Sequence, residues 1–163
     1  MKLNIIRGML ITALIAIFVT IFGFSNQNAE TSSGLSQKVT NFVVEIIPSI
    51  KNMPEPEKEN VVDRVESIVR KIAHYSIYTL VGILLMSLMN TYKIKELDRI
   101  AVSLIIGVIY ASTDEIHQVF VPGRGPQITD VILDSMGVLT GIFIVMLVLK
   151  IHGKCTHKYT NMT

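Results

Sequence analysis

The sequence predicts an all-α, polytopic membrane bundle of about four transmembrane helices with amphipathic external helices, and three observations predict it. Half of the 163 residues are hydrophobic and only 17% are charged, a balance too apolar for a soluble domain of this length. The apolar residues gather into four runs, two of them close to the roughly 20 residues that a hydrocarbon core requires. Basic residues concentrate in the short loops on one side of that arrangement, the usual determinant of membrane orientation. Once four spans are counted, little chain remains for a second domain. Residues 1–163 therefore read as one membrane domain, with spans at about 8–26, 72–91, 99–118 and 131–150 and an external amphipathic segment at about 33–70.

Composition also excludes several classes. The formal net charge is +2, with no long Lys/Arg run and no aromatics interleaved with basic residues, so no nucleic-acid surface is indicated. The single cysteine, Cys155, has no partner within the chain and reads as a free cytosolic thiol. No CxxC and no His/Cys cluster of metal-site spacing occurs, so neither a metal centre nor a cofactor is predicted.

The first span begins after Arg7. No charge occurs between Arg7 and Glu30, and residues 8–24 are almost wholly apolar. Lys2 and Arg7 with Gly23-Phe24-Ser25 also resemble a cleaved signal peptide, but the run is long for a signal core, and a retained anchor is expected. Leu35, Val39, Phe42, Val43, Ile46, Ile47 and Ile50 then form the stripe of an amphipathic helix, with Gln37, Lys38, Asn41 and Glu45 opposite. Ser32 or Ser33 caps its start, Pro48 ends it, and the membrane surface is its expected seat. A second helical run begins near Pro56, after a hinge at Asn52 to Pro56, and leads through Val61, Val65, Ile68 and Val69 towards the second span. That span, 72–92, carries no formal charge but has His74, Tyr75 and Tyr78 in its first two turns.

The third and fourth runs are short. Their charge-free stretches are 100–113 and 135–149, and at 1.5 Å per residue each covers only roughly 21 to 23 Å of a core about 30 Å thick. If both cross, then Asp114 and Glu115 at the end of one helix, and Asp130 and Asp134 at the start of the next, enter the membrane at one depth. Four spans put 8 basic and 2 acidic residues on one side, and 7 basic and 11 acidic residues in the longer loops of the other. Both termini are therefore expected in the cytoplasm of a multi-pass protein of the inner, or plasma, membrane.

Those acidic ends make a candidate pocket. Lys71, His74 and Tyr78 share one helical face with Arg70 at its edge, a polar stripe descending into the membrane. Interfacial snorkelling explains Arg70 and Lys71 equally well. His74 lies a turn deeper and needs a partner, for which the carboxylates of the next helices are the candidates. Asp114 and Gln118 are i and i+4. Asp114 and Glu115 point about 100° apart, so one should face the pocket centre and the other hold Arg124 or Arg70. The rigid turn Pro122-Gly123-Arg124-Gly125-Pro126 presents one guanidinium, suited to a carboxylate or phosphate, or else to an internal salt bridge with Asp114, Glu115 or Asp130. Asp130, Asp134, Gly137 and Gly141 form one helical face, acidic above and small below, with Gly82 and Gly107 offering close-contact points on other spans.

These residues carry a resemblance. Arg70-Lys71-x-x-His74-x-x-x-Tyr78, Asp114-Glu115-x-x-Gln118-x-Phe120-x-Pro122-Gly123-Arg124, and Asp130 followed by Gly137 resemble the VanZ-like family. Ser25-x-Gln27 with Ser32 and Ser33 is similar to that family's serine-rich extracellular start. One departure is Asp134, where many members carry Asn. The resemblance implies a bacterial cell-envelope protein associated with glycopeptide, teicoplanin-type, or lipopeptide antibiotic resistance.

Three functions follow as expectations. The leading one is a non-enzymatic pocket of Arg70, Lys71, His74, Tyr78, Asp114, Glu115, Gln118, Pro122, Gly123, Arg124, Asp130 and Asp134 that binds an anionic membrane lipid, a lipid-linked cell-wall precursor or the drug. The second is an intramembrane enzyme using His74 as base with Asp114 or Glu115 as acid or metal ligand. Against it, no Ser or Cys nucleophile stands beside a base. A small transporter is the third. The oligomeric state is left open by the sequence.

Overall fold

The computed structural model describes residues 1–26, 39–47, 50, 53–121 and 127–160, the side chains of 55, 56 and 153–160 excepted. The described residues form helices and no strand: α1 (Lys2–Ser25), a short α2 over 39–46, α3 (Glu55–Met89), α4 (Glu96–Gln118) and α5 (Ile128–Thr160). Four of them, α1, α3, α4 and α5, are long and apolar enough to cross a membrane. Ser32, Ser33, Leu35, Pro48 and Asn52, named above for the external segment, lie outside the described residues, as does the side chain of Cys155.

Each long helix has a local cause. No charge interrupts α1 after Arg7, and its 24 residues reach about 36 Å, enough for a hydrocarbon core of about 30 Å. Leu14, Ile21 and Ser25, at i, i+7 and i+11, are its buried face. Met9, Ile15, Val19 and Phe22 are exposed, an apolar surface that suits lipid rather than water. Pro54 stands at the N-cap of α3 and Pro56 in its first turn, where a missing N–H costs nothing. The second external run and the second span are one helix of 35 residues, about 52 Å long, so roughly 20 Å of it extends beyond a hydrocarbon core.

The shortfall of the third span is resolved by helix continuity. α4 runs unbroken through Asp114 and Glu115 to Gln118, and all three side chains are buried against the bundle. Its 23 residues cover about 35 Å, a full crossing. α5 likewise starts before Asp130 and carries Asp134 into its buried face.

α1 and α4 run in one direction. Phe18 stacks on Tyr110 with ring centroids 3.9 Å apart, and Phe22 meets His117 at 4.5 Å. The Tyr110 hydroxyl donates to the Phe18 carbonyl at 2.6 Å. α3 and α5 run parallel in the other direction and make the most extensive helix pair. Glycine allows their close approach. A Cβ at Gly141 would collide with the Thr79 carbonyl, one at Gly82 with the Val138 backbone, and one at Gly137 would stand 2.7 Å from the Tyr75 carbonyl. Gly107 of α4 receives the Val138 side chain in the same way. Without strong hydrophobic attraction between helices in lipid, backbone contact of this kind is a main source of association.

α2 departs in detail from the stripe expected of it. Its buried residues are Thr40 and Val44, one turn apart, whereas Val39, Phe42 and Ile46 are exposed. The apolar stripe thus faces away from the protein, as in a helix whose apolar side is offered to lipid.

The bundle has two chemically distinct ends. One gathers Lys71, His74, Asp114, Glu115, Asp130 and Asp134. The other gathers Arg7, which bonds Thr91 through its Nε (3.0 Å) and Nη2 (2.6 Å) and lies 4.1 Å over the Tyr92 ring, together with Arg99 and Lys150.

Candidate functional site

The acidic end is built from α3, α4 and α5, with the last turn of α1 closing one side. On α3, the i, i+3, i+7 spacing turns Lys71, His74 and Tyr78 to one face. On α5, the i, i+4 spacing does the same for Asp130 and Asp134. Because the two helices are parallel, the faces pair rung by rung. Lys71 Nζ lies 3.6 Å from Asp130 Oδ1, and one turn deeper His74 Nδ1 lies 3.8 Å from Asp134 Oδ2. Exposure falls with depth: 43% and 31% for the outer pair of side chains, 27% and 5% for the inner. Below them the Tyr75 hydroxyl bonds Thr140 at 2.7 Å, and the glycine contacts begin.

α4 adds two carboxylates with different neighbours. Asp114 accepts a hydrogen bond from Gln118 Nε2 at 3.4 Å and has the Ser25 hydroxyl and His74 as further polar neighbours. Glu115 accepts the backbone N–H of Gln127, which ties the end of α4 to the start of α5. The two adjacent acids thus have different neighbours, and both are buried; among the described residues neither pairs with Arg70, and Arg124 lies outside them. A carboxylate needs a donor, and a backbone N–H meets that need without a second buried charge.

Tyr78 is fully buried beneath the pair of rungs, 6.4 Å from the Tyr110 ring and next to Asp114 and Asp134. Its hydroxyl, Asp114 Oδ1 and Asp134 Oδ1 have no hydrogen-bond partner among the described residues. Unsatisfied buried polar atoms are costly and uncommon. These three sit on α3, α4 and α5, one on each helix. Among the described residues no three His, Cys, Asp or Glu side chains are grouped to hold a metal ion.

The structure thus brings Lys71, His74, Tyr78, Asp114, Gln118, Asp130 and Asp134 together at one end, with Glu115 beside them and Arg70 partly buried next to Lys71. Pro122, Gly123 and Arg124 lie outside the described residues. Ser25 was not among the pocket residues read from the sequence, yet it is only 1% exposed and neighbours Asp114. The signal was available, since Ser25 continues the i, i+7, i+11 face of Leu14 and Ile21.

A model of the family described as VanZ/LLP1 matches residues 10–149, a stretch that contains nearly all of the four apolar runs and every candidate site residue. No curated protein and no solved structure matches the chain.

Proposed function

The chain belongs to the VanZ/LLP1 family, and on that premise we propose that it is a non-enzymatic protein of a bacterial plasma membrane whose acidic end faces outward and binds an anionic envelope component. The ligand class is a lipid phosphate head group or a lipid-linked cell-wall precursor. Reduced access of a glycopeptide or lipopeptide antibiotic to its target would follow from that binding.

One observation carries this reading. Asp134 and Glu115 are buried and face His74 or a backbone N–H, while the Lys71 side chain, 43% exposed, pairs at the rim with the partly exposed Asp130. A half-exposed ammonium in a loose pair keeps donors free for a phosphate, which competes with the Asp130 carboxylate for it. Arg70 adjoins Lys71, and Arg124 precedes the start of α5 in sequence, so the reading assigns both to the same ligand.

The test is Arg124→Ala in the full chain. Reduced lipid co-purification together with increased drug susceptibility is expected. If both are unchanged, the reading is wrong.

A second reading rests on the inner rung. The contact of His74 Nδ1 with Asp134 is the arrangement that orients an imidazole as a general base. Turnover of a lipid-linked substrate by the purified protein, abolished in His74→Ala, would favour an enzyme over a binding protein.

A further inference from the structure

At the basic end, far from the rungs, a groove of about 680 Å³ opens among α3, α4 and α5. Its walls are apolar and include Met86, Phe143 and Met146. Phe143 is 64% exposed and Leu147 47%, so one side of the groove is open to whatever surrounds the bundle. Because α5 spans a membrane by its length and composition, that surrounding is the acyl region of lipid. The size lies within the roughly 300–1,000 Å³ of pockets that enclose small molecules.

The rim is different. Arg99 and Lys150 stand there with Asn90 and a single acid, Glu96. Arg99 Nη1 donates to Asn90 Oδ1 at 2.6 Å, which fixes the guanidinium, while its Nε is buried with no hydrogen-bond partner among the described residues. A guanidinium anchored through one nitrogen and lining an open groove is suited to a phosphate oxygen. Lys150 supplies a second positive charge at the same rim.

From this we infer that the basic end holds an anionic phospholipid, its phosphodiester between Arg99 and Lys150 and an acyl chain in the groove along Met86, Phe143 and Met146. The site is independent of the acidic end and of the function proposed for it. Charge complementarity selects the occupant: an apolar channel capped by two cations and one acid matches a lipid with an anionic head better than a zwitterionic one. On the leaflet where basic loops are expected, anionic head groups are also the natural counterpart.

The chain has no tryptophan, so Phe143→Trp introduces a sole reporter inside the groove. Position 143 lies two helical turns, roughly 10 Å, below Lys150, beside the middle of an acyl chain whose head group sits at the rim. The full-length variant is reconstituted in phosphatidylcholine vesicles, and its fluorescence quenching is measured with either phosphatidylglycerol or phosphatidylcholine brominated midway along the acyl chain. Quenching should report a several-fold preference for brominated phosphatidylglycerol. That preference should fall towards unity in Arg99→Gln and in Lys150→Gln, and stay unchanged in Arg64→Gln, an exposed basic residue in the first part of α3 at the other end. Lys150→Gln keeps the test meaningful if loss of the Asn90 bond impairs folding of Arg99→Gln. Equal quenching by the two lipids, a preference unaffected by Lys150→Gln, or displacement by soluble glycerol phosphate alone would each overturn the inference. So would protection from both lipids that grows with protein density, since a second copy of the chain would then cover the groove.

Discussion

Lys71 of α3 and Asp130 of α5 meet at 3.6 Å directly above His74 and Asp134 at 3.8 Å, so two parallel helices are joined by successive rungs that pass from half-exposed to buried. The gradient separates the energetic roles of the two pairs. The outer pair is screened and adjustable. The inner pair is fixed by its surroundings.

The inner rung should therefore show the larger coupling. Asp134→Leu removes the carboxylate paired with His74, and a cost of about 1–3 kcal/mol is expected. Asp134→Asn keeps an acceptor for the imidazole and should lie below about 1 kcal/mol. Thermal unfolding in detergent, with a double-mutant cycle including His74→Gln, measures both. Equal losses in the two variants would show that the pair is not what holds this end.

For the outer rung a smaller effect is expected. With side chains 43% and 31% exposed, the Lys71–Asp130 coupling should stay below about 1 kcal/mol and shrink further with added salt. A Lys71→Gln, Asp130→Asn cycle at low and high ionic strength reads it.

The glycine seam predicts a sharp positional contrast. Gly141→Ala sets a methyl against the Thr79 carbonyl, where backbone cannot give way as a side chain can, and a loss of about 1–3 kcal/mol or more is expected. At Gly8 and Gly23 of α1 an added Cβ would meet nothing within 4 Å, so alanine there should be neutral or stabilise by up to ~1 kcal/mol through helix propensity. Unfolding temperatures of the three single variants decide it.

Helix α1 meets α4 through two ring pairs, of which Phe18–Tyr110 also carries a hydrogen bond. Tyr110→Phe keeps the stack on Phe18 but removes the hydroxyl that donates to the Phe18 carbonyl, a change of about 1 kcal/mol. Tyr110→Ala removes both and should cost considerably more. A tyrosine-to-alanine loss no larger than that of Tyr110→Phe would mean that the ring contact contributes nothing.

Much of this was legible in the sequence because the relevant signals are short-range. Charge-free runs located α1 and the apolar part of α3, and the i, i+3, i+7 and i, i+4 spacings put Lys71, His74, Tyr78, Asp130 and Asp134 on two faces. The shortness of the third and fourth runs pointed to the acidic end, and α4 indeed carries Asp114, Glu115 and Gln118 as buried residues of one helix. What spacing could not supply was register between helices. The pairing of Lys71 with Asp130 and of His74 with Asp134 depends on how closely α3 approaches α5, which Gly82, Gly137 and Gly141 set. The tie of Glu115 to a backbone N–H was equally hidden, since every residue but proline carries that donor. Ser25 was read as part of a cleavage-like site and of the serine-rich extracellular start, and its place on the buried face of α1 was overlooked.

The binding role proposed for the acidic end is tested most directly by two substitutions of opposite expected sign. Asp130 competes with a phosphate for Lys71, so Asp130→Asn should raise the occupancy of anionic lipid seen by native mass spectrometry of the purified full chain. Lys71→Gln should lower it. Losses of the same size in both variants would mean that the pair serves only to hold α3 against α5, contrary to a phosphate site at Lys71.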